Sequence, residues 1–240
     1  MREFFRTLIL VLILLALWVL LASKCTAQNV PLVRAQHDAF VSYYDQQVHN
    51  PALVVYVLEA KHFAGSYRMK GRHFKMDTQL PRPRLKDGDY ANSGYVRGHL
   101  CSAGDRDSNK SWLKETYLTS NLVPMTMVCN SGAWKVIEDS CRTLALQGHR
   151  LLIGRGPLYN VRHDSGKRVL QTRASITIPA GFFCVAKCLD CSLHRFLWCL
   201  NDGTNFLQDV IRYQNDQRIS VLLTNIFDLW SREEYETITR

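Results

Sequence analysis

Acidic side chains are in short supply: 21 Asp and Glu stand against 30 Lys and Arg, a formal charge of +9 over 240 residues. That imbalance argues against a cationic partner and favours a polyanion, whether nucleic acid, an anionic membrane surface or polysaccharide. Apolar length is also limited near the N-terminus. The run from Leu8 to Ala22 stops at 15 residues, whereas a full membrane span needs about 20. Arg2 and Arg6 precede it and the small-residue end Cys25-Thr26-Ala27 follows. This pattern predicts a signal peptide over residues 1–27, with an uncleaved membrane anchor as the alternative. Lys24 makes Cys25 a poor lipidation site. In either version residues 28–240 are expected outside the cytoplasm: periplasmic, secreted or membrane-anchored, with membrane contact only through that first segment.

Repeats, low-complexity tracts and long linkers are absent after Ala27, which excludes solenoids and strings of modules. With 47% hydrophobic residues the remainder can bury one good core, and a single domain over 28–240 is expected. A βαβ rhythm is missing as well. Strands and helices mix irregularly, which predicts an α+β fold with a mainly antiparallel central sheet flanked by helices. Strands are expected at Leu53 to Leu58, Tyr95 to Leu100, Arg150 to Ile153, Ala174 to Ile178, Phe182 to Ala186 and Arg195 to Leu200. Pro81 to Gly88 reads as a loop and Asn92-Ser93-Gly94 as a turn. Helical spacing of Trp134, Ile137, Cys141, Leu144 and Ala145 predicts one helix from Ser131 to Leu146, stopped by Gly148. Trp112 to Leu118 is ambiguous. A helix is expected near the end of the tail from Asn205 to Arg240.

Paired CxxC knuckles are lacking too. Beyond Cys25 there are seven cysteines: Cys101, Cys129, Cys141, Cys184, Cys188, Cys191 and Cys199. In an exported chain the default is disulfides with one thiol left over. The spacing Cys184-x3-Cys188-x2-Cys191-x7-Cys199 admits a zinc site, but its irregularity makes disulfides the better reading. Spacing alone does not give the pairing.

What is present is concentrated between Tyr95 and Arg142. His99 ends an apolar alternation and offers an imidazole for proton abstraction. Arg97 lies two residues before it, on the same face of a strand. An arginine there suits a phosphate oxygen, while the neutral imidazole takes a proton from water. Asn130 opens the helical run, and Glu138 follows about 80° around it. Glu138 and Arg142 are spaced to pair. An amide oxygen with retained waters is a valid ligand set for Mg2+, with Glu138 holding one of those waters. The plainer readings are a satisfied histidine, a helix N-cap at Asn130 and a surface ion pair.

Taken in order, Val96-Arg97-Gly98-His99, Asn121-Leu122-Val123-Pro124, Asn130, Trp134 and Glu138 resemble the DNA/RNA non-specific endonuclease family. These are sugar-non-specific nucleases with a ββα-metal active site. Arg72-His73-Phe74-x2-Asp77 upstream is similar to the family's Arg-x-aromatic segment. Downstream, Ile153-Gly154-Arg155-Gly156-Pro157-Leu158-Tyr159 and Ile178-Pro179-x2-Phe182-Phe183 resemble its later strands. The likeness spans roughly Leu53 to Lys187. It implies an endonuclease acting on DNA and RNA with little sequence preference. His99 would be the general base and Asn130 the direct ligand of Mg2+, with Mn2+ able to substitute. Glu138 and Asn121 would order the metal's water shell and its surroundings. Arg72, Arg97 and Arg142 would hold phosphate or developing negative charge.

Three positions depart from the family pattern: Val96 replaces an Asp, Ser102 a Pro, and Met125 a polar residue. Val96 motivates an alternative, a catalytically impaired relative that binds nucleic acid without cutting it. A disulfide-rich exported module with a basic binding face is the third reading. Cys101 and Cys129 stand beside catalytic positions, where a disulfide from either would brace the site.

Overall fold

A computed structural model describes residues 32–69, 71, 74–159, 172 and 174–202. The leader or anchor at 1–27, Arg72 and the helix expected in the tail all lie outside the described residues.

Six strands form one antiparallel sheet: β1 (Val33–Gln36), β2 (Val41–Asp45), β3 (Asn50–Leu58), β6 (Leu151–Leu158), β7 (Gly181–Cys188) and β8 (His194–Leu200), in that spatial order. Between β3 and β6 the chain makes a separate antiparallel ribbon of β4 (Val96–His99) and β5 (Leu122–Met125). Three helices belong to the same excursion: α1 (Lys110–Glu115), α2 (Met127–Ser131) and α3 (Ala133–Leu146). This is the α+β, mainly antiparallel architecture expected from the sequence.

Strand β3 explains the layering. Successive side chains of a strand alternate between faces, and here both faces are apolar. Val54, Tyr56 and Leu58 enter one buried cluster with Ile153, Phe182, Cys184 and Ala186. Leu53, Val55 and Val57 enter a second with Val41, Tyr43, Phe183 and Val185. Helix α3 lays Trp134, Ile137, Cys141 and Ala145 onto the first cluster. Their spacing of three and four residues puts them on one stripe of the helix. That docking fixes where the flank of the same stripe, with Glu138 and Arg142, meets the turn after β4.

Four sequence expectations need correction. The helix expected as one piece from Ser131 to Leu146 is two. Thr126 caps α2 by accepting from the Cys129 amide (3.1 Å), and Gly132 breaks the chain with φ −106° and ψ −106°. Asn130 therefore neither opens nor caps the long helix. It sits in the last turn of α2. The strand expected at 174–178 is irregular, because Ser175 takes a left-handed φ of 61° that interrupts extension. Ile176 docks instead beside Leu85, Tyr90 and Leu122, while the Thr177 amide donates to Val48 (3.0 Å). Strand β6 runs on to Leu158 through Gly156, where a Cβ would fall 2.4 Å from the Ala52 carbonyl oxygen. Glycine there allows close strand approach instead of marking a strand end. The two short strands β1 and β2 were not anticipated. The ambiguous segment resolves as α1, capped by Asn109, whose side chain accepts from the Ser111 and Trp112 amides.

Candidate active site

The ribbon sets the histidine. His99 lies opposite Leu122, and Gly98 lies opposite Val123. A Cβ on Gly98 would come within 2.7 Å of the Met125 side chain, so the middle residue of Arg-Gly-His must be small for the ribbon to close. The His99 carbonyl accepts from the Trp134 indole (3.0 Å), which ties the end of β4 to α3. Its ring stands edge-on to Tyr117 (5.0 Å) and tilted against Phe74 (5.7 Å). Those contacts hold the imidazole in one orientation.

His99, Ser102, Ala103, Asn130, Ser131, Lys135, Glu138 and Arg142 line one cavity of about 320 Å³. Four of the residues expected from sequence thus converge: His99, Asn130, Glu138 and Arg142. Two do not reach it. Arg97 pairs with Asp87 (2.6 Å) and donates to the Asp87 carbonyl (2.7 Å), with its guanidinium over Phe74 and Tyr90. Asn121 is fully buried. Its Oδ1 accepts from the Cys101 amide (2.7 Å), and its Nδ2 donates to the carbonyls of Cys101 (2.9 Å) and Thr116 (2.8 Å). Asn121 braces the turn that follows His99, with both of its amide N–H donors spent on backbone carbonyls.

Glu138 and Arg142 are not a simple surface pair. Arg142 donates to Asp105 (2.7 Å), Asp139 (2.8 Å) and the Ser102 hydroxyl (2.8 Å), and stands 3.5 Å from Glu138. Behind them Arg155 lies 3.4 Å from Asp105 and 4.0 Å from Glu138, both Asp105 and Arg155 being wholly buried. The Tyr56 hydroxyl also donates to Asp105 (2.6 Å). In the buried part of this cluster Asp105 and Glu138 face Arg142 and Arg155, with Asp139 at its exposed edge, and that pairing is what makes the burial tolerable. Burial pushes the Glu138 carboxyl up, Arg155 opposes it, and Asp105 adds to it, leaving Glu138 at about 7. A carboxyl so placed responds strongly to any added positive charge.

Sequence reasoning missed Ser102, Asp105, Lys135 and Arg155. Asp105 and Arg155 act through tertiary contacts that no local spacing announces. Gly104 was a usable signal, since a Cβ there would press within 3.0 Å of the Arg142 guanidinium. Ser102, one of the departures, is an added partner for Arg142. Val96 packs against the main core cluster.

The cavity wall carries an amide oxygen, a carboxylate and two hydroxyls beside one imidazole, and no cysteine. That donor set fits a hard divalent cation that keeps part of its water.

An antiparallel ribbon followed by a helix, with His, Asn, Glu and Arg gathered between them, defines a ββα-metal type of site in an α+β protein. The chain belongs to the DNA/RNA non-specific endonuclease family, whose sequence pattern matches residues 22–219. It is 30% identical over 143 residues to the mitochondrial nuclease EXOG of Xenopus laevis, covering 58% of this chain and 40% of that protein. It is 27% identical over 170 residues to a nuclease of Nostoc, covering 70% and 58%. The mitochondrial nuclease of Saccharomyces cerevisiae is 30% identical over 156 residues, covering 61% and 47%. The chain thus spans about half the length of these relatives. A chain in the crystal structure of the EndoG/EndoGI complex shares the fold, with a TM-score of 0.62 at 24% identity, covering 72% of this chain and 77% of that one.

Proposed function

We propose that this protein is an exported, divalent-metal-dependent endonuclease that hydrolyses phosphodiester bonds in DNA and RNA with little sequence preference. The observation that carries the reading is the convergence of His99, Asn130, Glu138 and Arg142 on one cavity. The His99 imidazole takes the proton from the attacking water. Arg142 and Lys135 supply positive charge toward the phosphate as the transition state gathers negative charge. Asn130 would hold Mg2+ or Mn2+ directly, and Glu138 would hold one of its waters. The bound cation would supply Lewis-acid stabilisation of the leaving 3′ oxygen. Contacts to phosphate and sugar carry no base identity, which accounts for indifference to sequence. Export rests on the leader-like run from Leu8 to Ala22.

The test is digestion of plasmid DNA and total RNA by residues 28–240 with Mg2+ or EDTA, alongside His99→Ala. Cutting that needs the metal and is lost in the variant supports the proposal. Binding without cutting would favour the impaired relative, the reading that Val96 motivates. For export, the N-terminus of the protein recovered outside the cytoplasm should begin at residue 28.

A further inference from the structure

The late cysteines take no part in the cavity, and the fold divides them into two groups. Cys184 and Cys199 turn into the core, with sulfurs 3.8 Å from Cys141 and 3.7 Å from Cys129. Cys188 and Cys191 stay together where β7 turns toward β8, joined as a disulfide. Beside them stands His149, which follows α3. Its Nδ1 is 3.8 Å from each sulfur, and the three donor atoms all lie within 4.8 Å of one another.

We propose that His149, Cys188 and Cys191 form a soft-metal site that takes Zn2+ once the Cys188–Cys191 disulfide is reduced. With Zn–S near 2.3 Å and Zn–N of about 2.0–2.1 Å, a tetrahedral site has an N···S edge of about 3.6 Å. His149 is therefore almost in place with respect to both sulfurs. The Cys-x2-Cys spacing across a strand-ending turn is the one that structural zinc sites use. Only the sulfurs need to part, to an edge of about 3.8 Å.

The surroundings hold the ligands in position. Gly148 takes a left-handed φ of 94° and redirects the chain so that His149 leaves the helix toward the turn. The Leu189 amide donates to the Arg150 carbonyl (2.8 Å), and the Cys188 amide to Leu193 (2.8 Å), which docks the turn against that segment. Cys188 is buried and Cys191 exposed, so an ion can enter from solvent and complete its shell with water. Two thiolates, a neutral imidazole and Zn2+ sum to zero charge. Arg150 is already engaged by Glu59 (3.5 Å) and Asp190 (3.6 Å).

The two states exchange in balanced steps. A dithiol reductant delivers two electrons and two protons to the disulfide and becomes a disulfide itself. Zn2+ then displaces the two thiol protons as it binds. Thiol–disulfide exchange in the other direction expels the ion. Sulfur and nitrogen donors separate this site from the oxygen-lined cavity, where Mg2+ is the expected ion.

The test uses the full chain, reduced with a phosphine and held in excess Mg2+, titrated with Co2+ as a coloured stand-in for Zn2+. One equivalent should give a thiolate-to-cobalt charge-transfer band that Zn2+ bleaches, and the oxidised protein should give none. Cys191→Ser, at an exposed position, should abolish the band. His149→Ala should weaken binding by roughly tenfold or more, since even outer partners of a ligand are worth that. No band in the reduced protein would overturn the proposal. So would a band that survives Cys191→Ser, or one indifferent to His149→Ala.

Discussion

Arg142 reaches from α3 to Asp105, 2.7 Å away on the turn after β4, and so joins the helix to the ribbon by a charge pair whose carboxylate is completely buried. The same carboxylate receives the Tyr56 hydroxyl and faces Arg155. Sheet, ribbon and helix meet at one acid.

Asp105→Ala should be among the most damaging single changes outside the apolar core. It leaves Arg142 and Arg155 with only the more distant Glu138, 3.5 and 4.0 Å away, as a shared counter-charge. Breaking a buried pair from one side costs about 3–5 kcal/mol. Urea denaturation checks this; a loss under about 1 kcal/mol would show that Glu138 and Asp139 carry the cations alone.

Asn121 and Asn130 should separate stability from chemistry. Asn121→Ala strands buried backbone groups of Cys101 and Thr116, each worth about 1–3 kcal/mol, so its melting temperature should fall. Asn130→Ala should change stability by no more than about 0.5 kcal/mol while the Mg2+ dependence of cutting weakens. An unchanged melting temperature for Asn121→Ala would remove its bracing role. An unchanged Mg2+ titration for Asn130→Ala would remove its role as ligand.

Acid should act partly through His62. Burial, helped by Arg106, lowers its imidazole to about 4. Folded protein therefore keeps His62 neutral while the unfolded chain binds a proton below about 6.5. The contribution is whole above pH 6.5 and lost as pH falls through 4, up to about 3 kcal/mol in all. His62→Gln should flatten the stability profile in that window. A parallel profile for wild type and variant would exclude His62 as the group responsible.

Mild oxidation should close Cys141 to Cys184 and Cys129 to Cys199. The Cys184 thiol is the expected nucleophile, drawn down to about 7 by its hydrogen bond from Cys141 and by nearby Arg155. Peptide mapping without reductant should find both links, with a gain of about 2–4 kcal/mol for each. Recovery of four free thiols after prolonged oxidation would rule the pairing out.

The sequence located the cavity better than it carried the scaffold. His99, Asn130, Glu138 and Arg142 were legible as neighbours because their residue types and order match a family pattern. Trp134, Ile137, Cys141 and Ala145 were legible because helical period is a local property. Asp105 and Arg155 were not, since they stand 50 residues apart in sequence and meet only when the turn after β4 folds onto β6. The break at Gly132 and the turn at Ser175 were missed for a related reason. Backbone dihedrals of single residues override period, and apolar spacing does not report them.

Gly132 places the amide of Asn130 and the carboxylate of Glu138 on two separate helices. Their span is therefore set by one residue's backbone, since a Cβ there would meet the Val128 carbonyl oxygen at 2.6 Å. Gly132→Ala would alter no side chain that lines the cavity, yet it would change the spacing of Asn130 and Glu138. If those two side chains serve the metal as proposed, selectivity could drift through this joint while both residues stay unchanged.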